Sequence, residues 1–194
     1  MTASIENIQD LFIASPPLRF GLSDGQMKTA LTCYDIAYST EYGSSVSNSI
    51  ELYGEALMSN VLQNITYLDN TFGFGLAGIA WSICLLTSRG QLSGDVDLLE
   101  DIDLRVSEVS LYRCDKSLMR GLEGYMHYIL ARIQCSCYRS GILSHFFEEL
   151  DDVVNCLPLN TDSSLIRLAN MYKEYRRTGN CIYSIGEEYK ILIF

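Results

Sequence analysis

Gly75-Leu-Ala-Gly-Ile-Ala-Trp81 decides how this chain is read, because it is the central copy of a pattern that occurs three times. The flanking copies are Gly25-Gln-Met-Lys-Thr-Ala-Leu31 and Gly121-Leu-Glu-Gly-Tyr-Met-His127. Their first glycines stand 50 and 46 residues apart (75 − 25 and 121 − 75), a period of stacked helical pairs rather than of one irregular globule. A glycine at a helix start lets backbones crowd where several helix ends converge, and a second one three residues on lies on the same face. Converging N-termini would aim unpaired N–H groups and positive dipole ends at one mouth, a place for an anion or a carboxylate-rich peptide. The plainer alternative is that these glycines serve close packing alone.

Outward from the three copies, apolar periodicity predicts a nearly unbroken series of helices. Ile5, Ile8, Leu11 and Phe12 form a first amphipathic face, closed by Pro16-Pro17. Val46, Ile50, Tyr53, Leu57, Val61 and Leu62 form another. Leu99, Ile102, Val106 and Val109 follow, with Asp97, Glu100, Asp101 and Asp103 expected on the wet side. Leu143, Phe146, Phe147, Leu150 and Val154 repeat the rhythm, with Glu148, Glu149, Asp151 and Asp152 as the solvated face. From Gly75 to Leu86 and from Leu122 to Ile133, by contrast, apolar residues lie on nearly every face, so those helices must be surrounded by others. Glycines at 90 and 141 are expected helix stops, and Lys173 to Arg177 reads as a cationic last turn ending at Gly179. Only Tyr189-Lys-Ile-Leu-Ile-Phe194 is ambiguous between strand and helix. The expectation is an all-α chain of one domain, residues 1–194. Its helices form an α/α toroid-like array of about three to four helical hairpins, an incomplete ring with inner helices sheathed by outer ones.

Composition bounds the function. The 194 residues carry 24 acidic and 14 basic side chains, a formal charge of −10 with no dense Lys/Arg run, which disfavours nucleic acid as a partner. The most apolar stretch, Phe72 to Leu86, is shorter than the roughly 20 residues a bilayer requires, so no membrane association is expected. No secretory or mitochondrial signal is readable in Met1 to Phe20, and a cytoplasmic location is expected. Seven scattered cysteines read as reduced thiols, not as a disulfide framework.

Three segments together resemble the lanthionine synthetase C-like family. They are Gly21-Leu-Ser-Asp-Gly-Gln-Met-Lys-Thr-Ala-Leu31, Phe74-Gly-Leu-Ala-Gly-Ile-Ala-Trp81 followed by Leu85-Leu86, and Ser117-Leu-Met-Arg-Gly-Leu-Glu-Gly-Tyr125. Gly94-Asp-Val-Asp-Leu-Leu-Glu-Asp-Ile-Asp103 also looks like the outer helix after the second repeat in bacterial relatives. The resemblance spans roughly 20–150 and implies a toroid of inner and outer helical barrels. A cyclase of that family binds zinc through two cysteines and a histidine in Gly-Trp-Cys-Tyr-Gly-like and Cys-His-Gly-like motifs, and this chain has neither. It also has Asp24 where many relatives carry a histidine, and Lys28 where the pattern expects its second glycine. The resemblance therefore implies a degenerate, non-catalytic accessory or binding protein of bacterial peptide modification or export, without metal or cofactor. Its partner would be a protein or peptide, or a second copy in a homo-oligomer, docked on the flank a partial ring leaves open, with Ile191 to Phe194 as a contact.

The alternatives are an enzyme or a purely structural helical scaffold. Asp24, Glu123 and His127 lie in or beside the glycine motifs and are the catalytic candidates, either for an α/α-toroid hydrolase using Asp24 or Glu123, or for a reduced zinc-dependent thioether cyclase. Each has a structural reading too: Glu123 complements a helix dipole, and His127 on an apolar helix is a hydrogen-bonded core residue. Zinc needs Cys114, His127 and Cys137 to be gathered by the tertiary fold, because Cys135 and Cys137 diverge by roughly 200° on a helix. Tyr34, Tyr38, Tyr125 and Tyr128, among 13 tyrosines, fall on inner helices.

Overall fold

The computed structural model describes residues 19–39, 43–92, 96–135, 143–158 and 161–193. Within them the chain forms eight α-helices and no strand: α1 Gln26–Ala37, α2 Ser44–Gln63, α3 Leu76–Ser88, α4 Val96–Val106, α5 Leu122–Gln134, α6 Ser144–Asn155, α7 Ser163–Thr178 and α8 Ile185–Ile193. Single 3-10 turns at Ile65–Tyr67 and Leu111–Arg113 follow α2 and α4. The fold class is all-α. The helix expected at 5–12 and the stop at Gly141 lie outside the described residues.

Each glycine-led segment becomes a helix that starts one residue after its first glycine, with Gly25, Gly75 and Gly121 as the N-caps of α1, α3 and α5. The all-round apolar pattern has its expected consequence: every residue of α3 from Leu76 to Leu86 is buried, as is every residue of α5 from Gly124 to Arg132. A helix without a wet face needs neighbours on all sides. Accordingly α3 packs against α1 and α5, and α5 against α7, while the one-sided helices α2 and α4 cover α1 and α3. This row of inner helices under an outer layer is compatible with a toroid-like array. One continuous apolar cluster runs through it from Leu22 to Tyr189, and each large side chain it encloses, such as Trp81 or Leu31, contributes roughly 1.5–3 kcal/mol of burial.

Helix ends follow local chemistry. α3 ends in a Schellman arrangement in which Gly90, at φ 68°, donates its N–H to the Thr87 carbonyl while Gln91 N–H reaches Leu86. α7 has no leading glycine; Asp162 caps it by accepting the Ser164 N–H at 2.8 Å. It stops at Gly179, at φ 77°, after Arg176 and Arg177 in its last turn, as the sequence implies.

Several expectations need correction. Asp103, expected on the wet side of α4, is 1% exposed and turned inward toward α5. Val109 lies beyond the end of α4. Val46 is exposed, so the buried face of α2 begins only at Ile50. Tyr38 lies exposed just past the end of α1. On α6, Glu149 and Asp151 are only half exposed: Glu149 accepts the Leu111 N–H, and Asp151 accepts from Tyr172 and Arg176. A helical wheel locates the polar arc but not which of its members meets a partner from another element.

The ambiguous C-terminal segment is the helix α8, and two of its side chains reach the inner row. Tyr189 donates to Asp35 of α1 and stacks on Trp81 of α3 with ring centroids 6.3 Å apart. Glu188 lies 4.0 Å from His127 of α5 and is ion-paired with Arg167 of α7. α8 thus brings Tyr189 and Glu188 onto the inner helices, while Ile191, one of the residues expected at a partner contact, is exposed. Nine residues interrupted by Gly186 carry too little periodicity to foretell this.

Candidate functional site

The three helix-leading turns are tied together at one end of the inner row. Ser23 N–H donates to the Gly73 carbonyl at 2.8 Å, and Gly73 N–H donates to the Met119 carbonyl at 2.8 Å, so the turn before α1 hangs on the turn before α3, which hangs on the turn before α5. Glycine is required here by space and not by φ, since Gly25, Gly75 and Gly121 all have negative, extended backbone. A Cβ on Gly21 would stand 2.5 Å from the Phe74 Cα, and one on Gly73 2.6 Å from the Met119 sulfur. The second glycines are as tightly enclosed: a methyl on Gly78 would overlap the Phe72 carbonyl, and one on Gly124 the Leu118 carbonyl and Phe72 ring.

A further repeat explains how the turns are set. Asp69 Oδ1 accepts the N–H and hydroxyl of Thr71, while the Asp69 carbonyl accepts the Leu76 N–H. Asp115 does the same for Ser117 N–H and Leu122 N–H. These are Asx-turns six residues ahead of each N-cap glycine, and the carboxyl of Asp115 is held below the usual carboxylate range by its hydrogen bonds to Ser117. In the first copy Arg19 stands in the aspartate position, and only the backbone bond from Gln26 N–H to its carbonyl survives. The pattern Asp-x-Ser/Thr was present in the sequence and would have lengthened the motif. The turns also take up the first N–H of α1, α3 and α5, each of which is bonded to an upstream carbonyl.

A cavity of about 160 Å³ opens at this rim, lined by apolar Leu22, Phe72, Leu118 and Met119, by Ser23 and Lys28, and by Leu192 of α8. Lys28 occupies the position that is glycine in the other two copies. The departure from the repeat thus places an ammonium stem where the others keep backbone contact.

The three candidate acid–base residues have three separate sets of partners. Asp24 is exposed on the first turn and ion-paired with Arg19 at 2.6 Å. Glu123, in the first turn of α5, accepts a 2.5 Å hydrogen bond from Ser164 at the start of α7. His127, one turn deeper, is 1% exposed, and its Nδ1 lies 2.9 Å from the Tyr183 hydroxyl. Cys114 is half-buried and donates its thiol to the Ser110 carbonyl. Cys137, the third residue of the conceivable zinc set, lies outside the described residues, among which no group of three or more His, Cys, Asp or Glu is placed to hold a metal.

His127 sits in a polar chain that sequence reasoning did not find. Trp81 Nε1–H donates to the Tyr183 oxygen at 2.9 Å. That leaves the Tyr183 hydroxyl proton for His127 Nδ1, so neutral His127 carries its own proton on Nε2. That nitrogen is buried and has no partner among the described residues. Burial lowers the His127 pKa to about 4; the nearby Glu188 carboxylate opposes this shift and the Arg167 guanidinium adds to it. Burial likewise pushes Tyr183 well above its ordinary value, although its bond to Trp81 acts the other way. Arg167 and Glu188 close the chain as a bidentate pair. His127 is therefore a neutral, fixed core group joining α3, α5 and the segment leading into α8. Neither Tyr183 nor Glu188 stands in a motif, so no local signal marks them.

No helix among the described residues is long and apolar enough to cross a membrane. No protein-family model, no curated protein and no solved structure matches this chain.

Proposed function

We propose that this protein is a non-catalytic binding protein, a degenerate relative of the lanthionine synthetase C-like family that holds a peptide for bacterial peptide modification or export. The observation that carries the reading is the rim cavity: three turns bonded in series frame an apolar pocket of about 160 Å³ with Lys28 on its wall. Its size admits one apolar side chain, and Lys28 supplies the cation for a neighbouring carboxylate. The candidate acid–base groups support binding over catalysis, because Asp24 and Glu123 are occupied by Arg19 and Ser164 and His127 by Tyr183.

Fluorescence anisotropy with dye-labelled hexapeptides ending in Leu-Glu tests this. We expect saturable binding that weakens at least tenfold in Lys28→Glu and is kept in Lys28→Arg. Equal binding by Lys28→Glu, or no preference over a peptide ending in Ser-Lys, overturns it.

A further inference from the structure

A second cavity, of about 470 Å³, lies at the opposite ends of α3 and α5 and is lined by Cys84, Thr87, Cys135 and the start of α8 at Ile185. Cys84 is 2% exposed on α3, whereas Cys135, the C-cap of α5, is half-buried. Cys135 lies within hydrogen-bonding reach of the Cys84 thiol and, with burial, pushes its pKa well above the ordinary value, while the neighbouring Arg132 guanidinium, itself paired with Asp103, acts the other way. Thr87 Oγ1, in the same wall, is buried without a partner among the described residues. Two neighbouring thiols, an unpaired hydroxyl and a solvent-connected cavity together make a site with a chemistry.

We propose that Cys84 and Cys135 are a dithiol pair that a hydroperoxide oxidises to a reversible disulfide stapling α3 to α5. The proposal is independent of the rim cavity and of the peptide-binding reading. Cys135, the more accessible sulfur, attacks as thiolate; the peroxide O–O bond breaks, Cys135 becomes a sulfenic acid, and the released alkoxide takes a proton from water to leave as alcohol. Cys84 sulfur then attacks the Cys135 sulfur, its proton joins the departing hydroxide as water, and the S–S bond forms. The two electrons of the thiol pair thereby reduce one hydroperoxide. Thr87 offers the peroxide a hydrogen bond, and Cys84 attacks as the protonated thiol, which brings its own proton to the departing oxygen. Among the other described thiols, Cys33 is fully buried with its pKa pushed by burial up to about 11, Cys181 donates to a backbone carbonyl, and Cys114, which donates to the Ser110 carbonyl, lines a separate cavity with the exposed Cys156.

The test treats the full-length reduced protein with one equivalent of hydrogen peroxide, counts thiols, and maps peptides without reduction. We expect two of the seven thiols to be lost, a Cys84–Cys135 linked peptide, full reversal by dithiothreitol, and a higher Tm for the oxidised form. In Cys84→Ala, Cys135 should stop at the sulfenic acid, trapped by a 1,3-dione probe; in Cys135→Ser, Cys84 should stay reduced. A linkage between any other pair, or a native protein whose thiols all survive the peroxide, overturns the proposal, and the wild-type map decides even where a variant fails to fold.

Discussion

Asp103 of α4 and Arg132 of α5 meet in a two-pronged ion pair sealed from water, with Nε–Oδ1 at 2.9 Å, Nη2–Oδ2 at 2.5 Å, and exposures of 1% and 0%. Tyr128 also donates to Asp103. The pair fixes how an outer helix sits on the inner row, since each charge finds its satisfaction only at one rotation of α4. Breaking such a pair leaves an isolated charge in the core, which costs about 3–5 kcal/mol, whereas replacing both members by apolar groups is often neutral. Asp103→Asn should therefore lose about that much in urea unfolding, and Asp103→Leu with Arg132→Met should recover only part of it, because the buried Tyr128 hydroxyl loses its acceptor. A single variant as stable as the wild type would show that water reaches the pair.

His127 makes stability depend on pH. Its folded pKa of about 4 lies below the unfolded value near 6.5, so the unfolded chain takes up a proton first as the pH falls. Stability should decline from pH 6.5 toward pH 4, by an amount on the order of 3 kcal/mol over that window. His127→Asn keeps an acceptor for Tyr183 and does not titrate. Its unfolding free energy should have a shallower slope in this window than that of the wild type, and parallel slopes would place His127 in water.

Removing the Tyr183 hydroxyl strips two buried partners at once. Tyr183→Phe leaves Trp81 Nε1–H and His127 Nδ1 unpaired, and each orphaned group costs about 1–3 kcal/mol. The expected result is a cooperative but less stable fold, and unfolding curves unchanged from wild type would dissolve the chain.

Glycine substitutions separate packing from propensity. Gly78→Ala drives a methyl into the Phe72 carbonyl, and Gly124→Ala one into the Leu118 carbonyl; backbone cannot yield cheaply, so each should lose at least 2 kcal/mol, in the upper range of single substitutions. Gly186→Ala in α8 meets nothing within 4 Å and should gain up to about 1 kcal/mol from helix propensity. Thermal melts of the three variants check both signs.

The glycine period and the contrast between one-sided and all-round helices were enough to read an inner row beginning at Gly25, Gly75 and Gly121, because helix identity and burial of a whole face are set by residues within a few turns of each other. The Asp69 and Asp115 turns carry a local signal too, the spacing Asp-x-Ser/Thr. The partner of a single buried polar side chain carries none. Asp103 stands four residues after Leu99 and three before Val106, about 200° around the helix from Asp101, and only Arg132, 29 residues on, gives an acid on that face its partner.

What the sequence determined by itself is the all-α class, the starts of the inner helices and the places where no side chain beyond glycine fits. What only the tertiary structure decided is the polar core and the role of the last helix. Trp81 and Tyr183 stand 102 residues apart, and Asp35 and Tyr189 154 apart. A buried hydrogen bond between such positions gains its strength from exclusion of water by everything packed around it, and that exclusion is a property of the assembled helices, not of any segment.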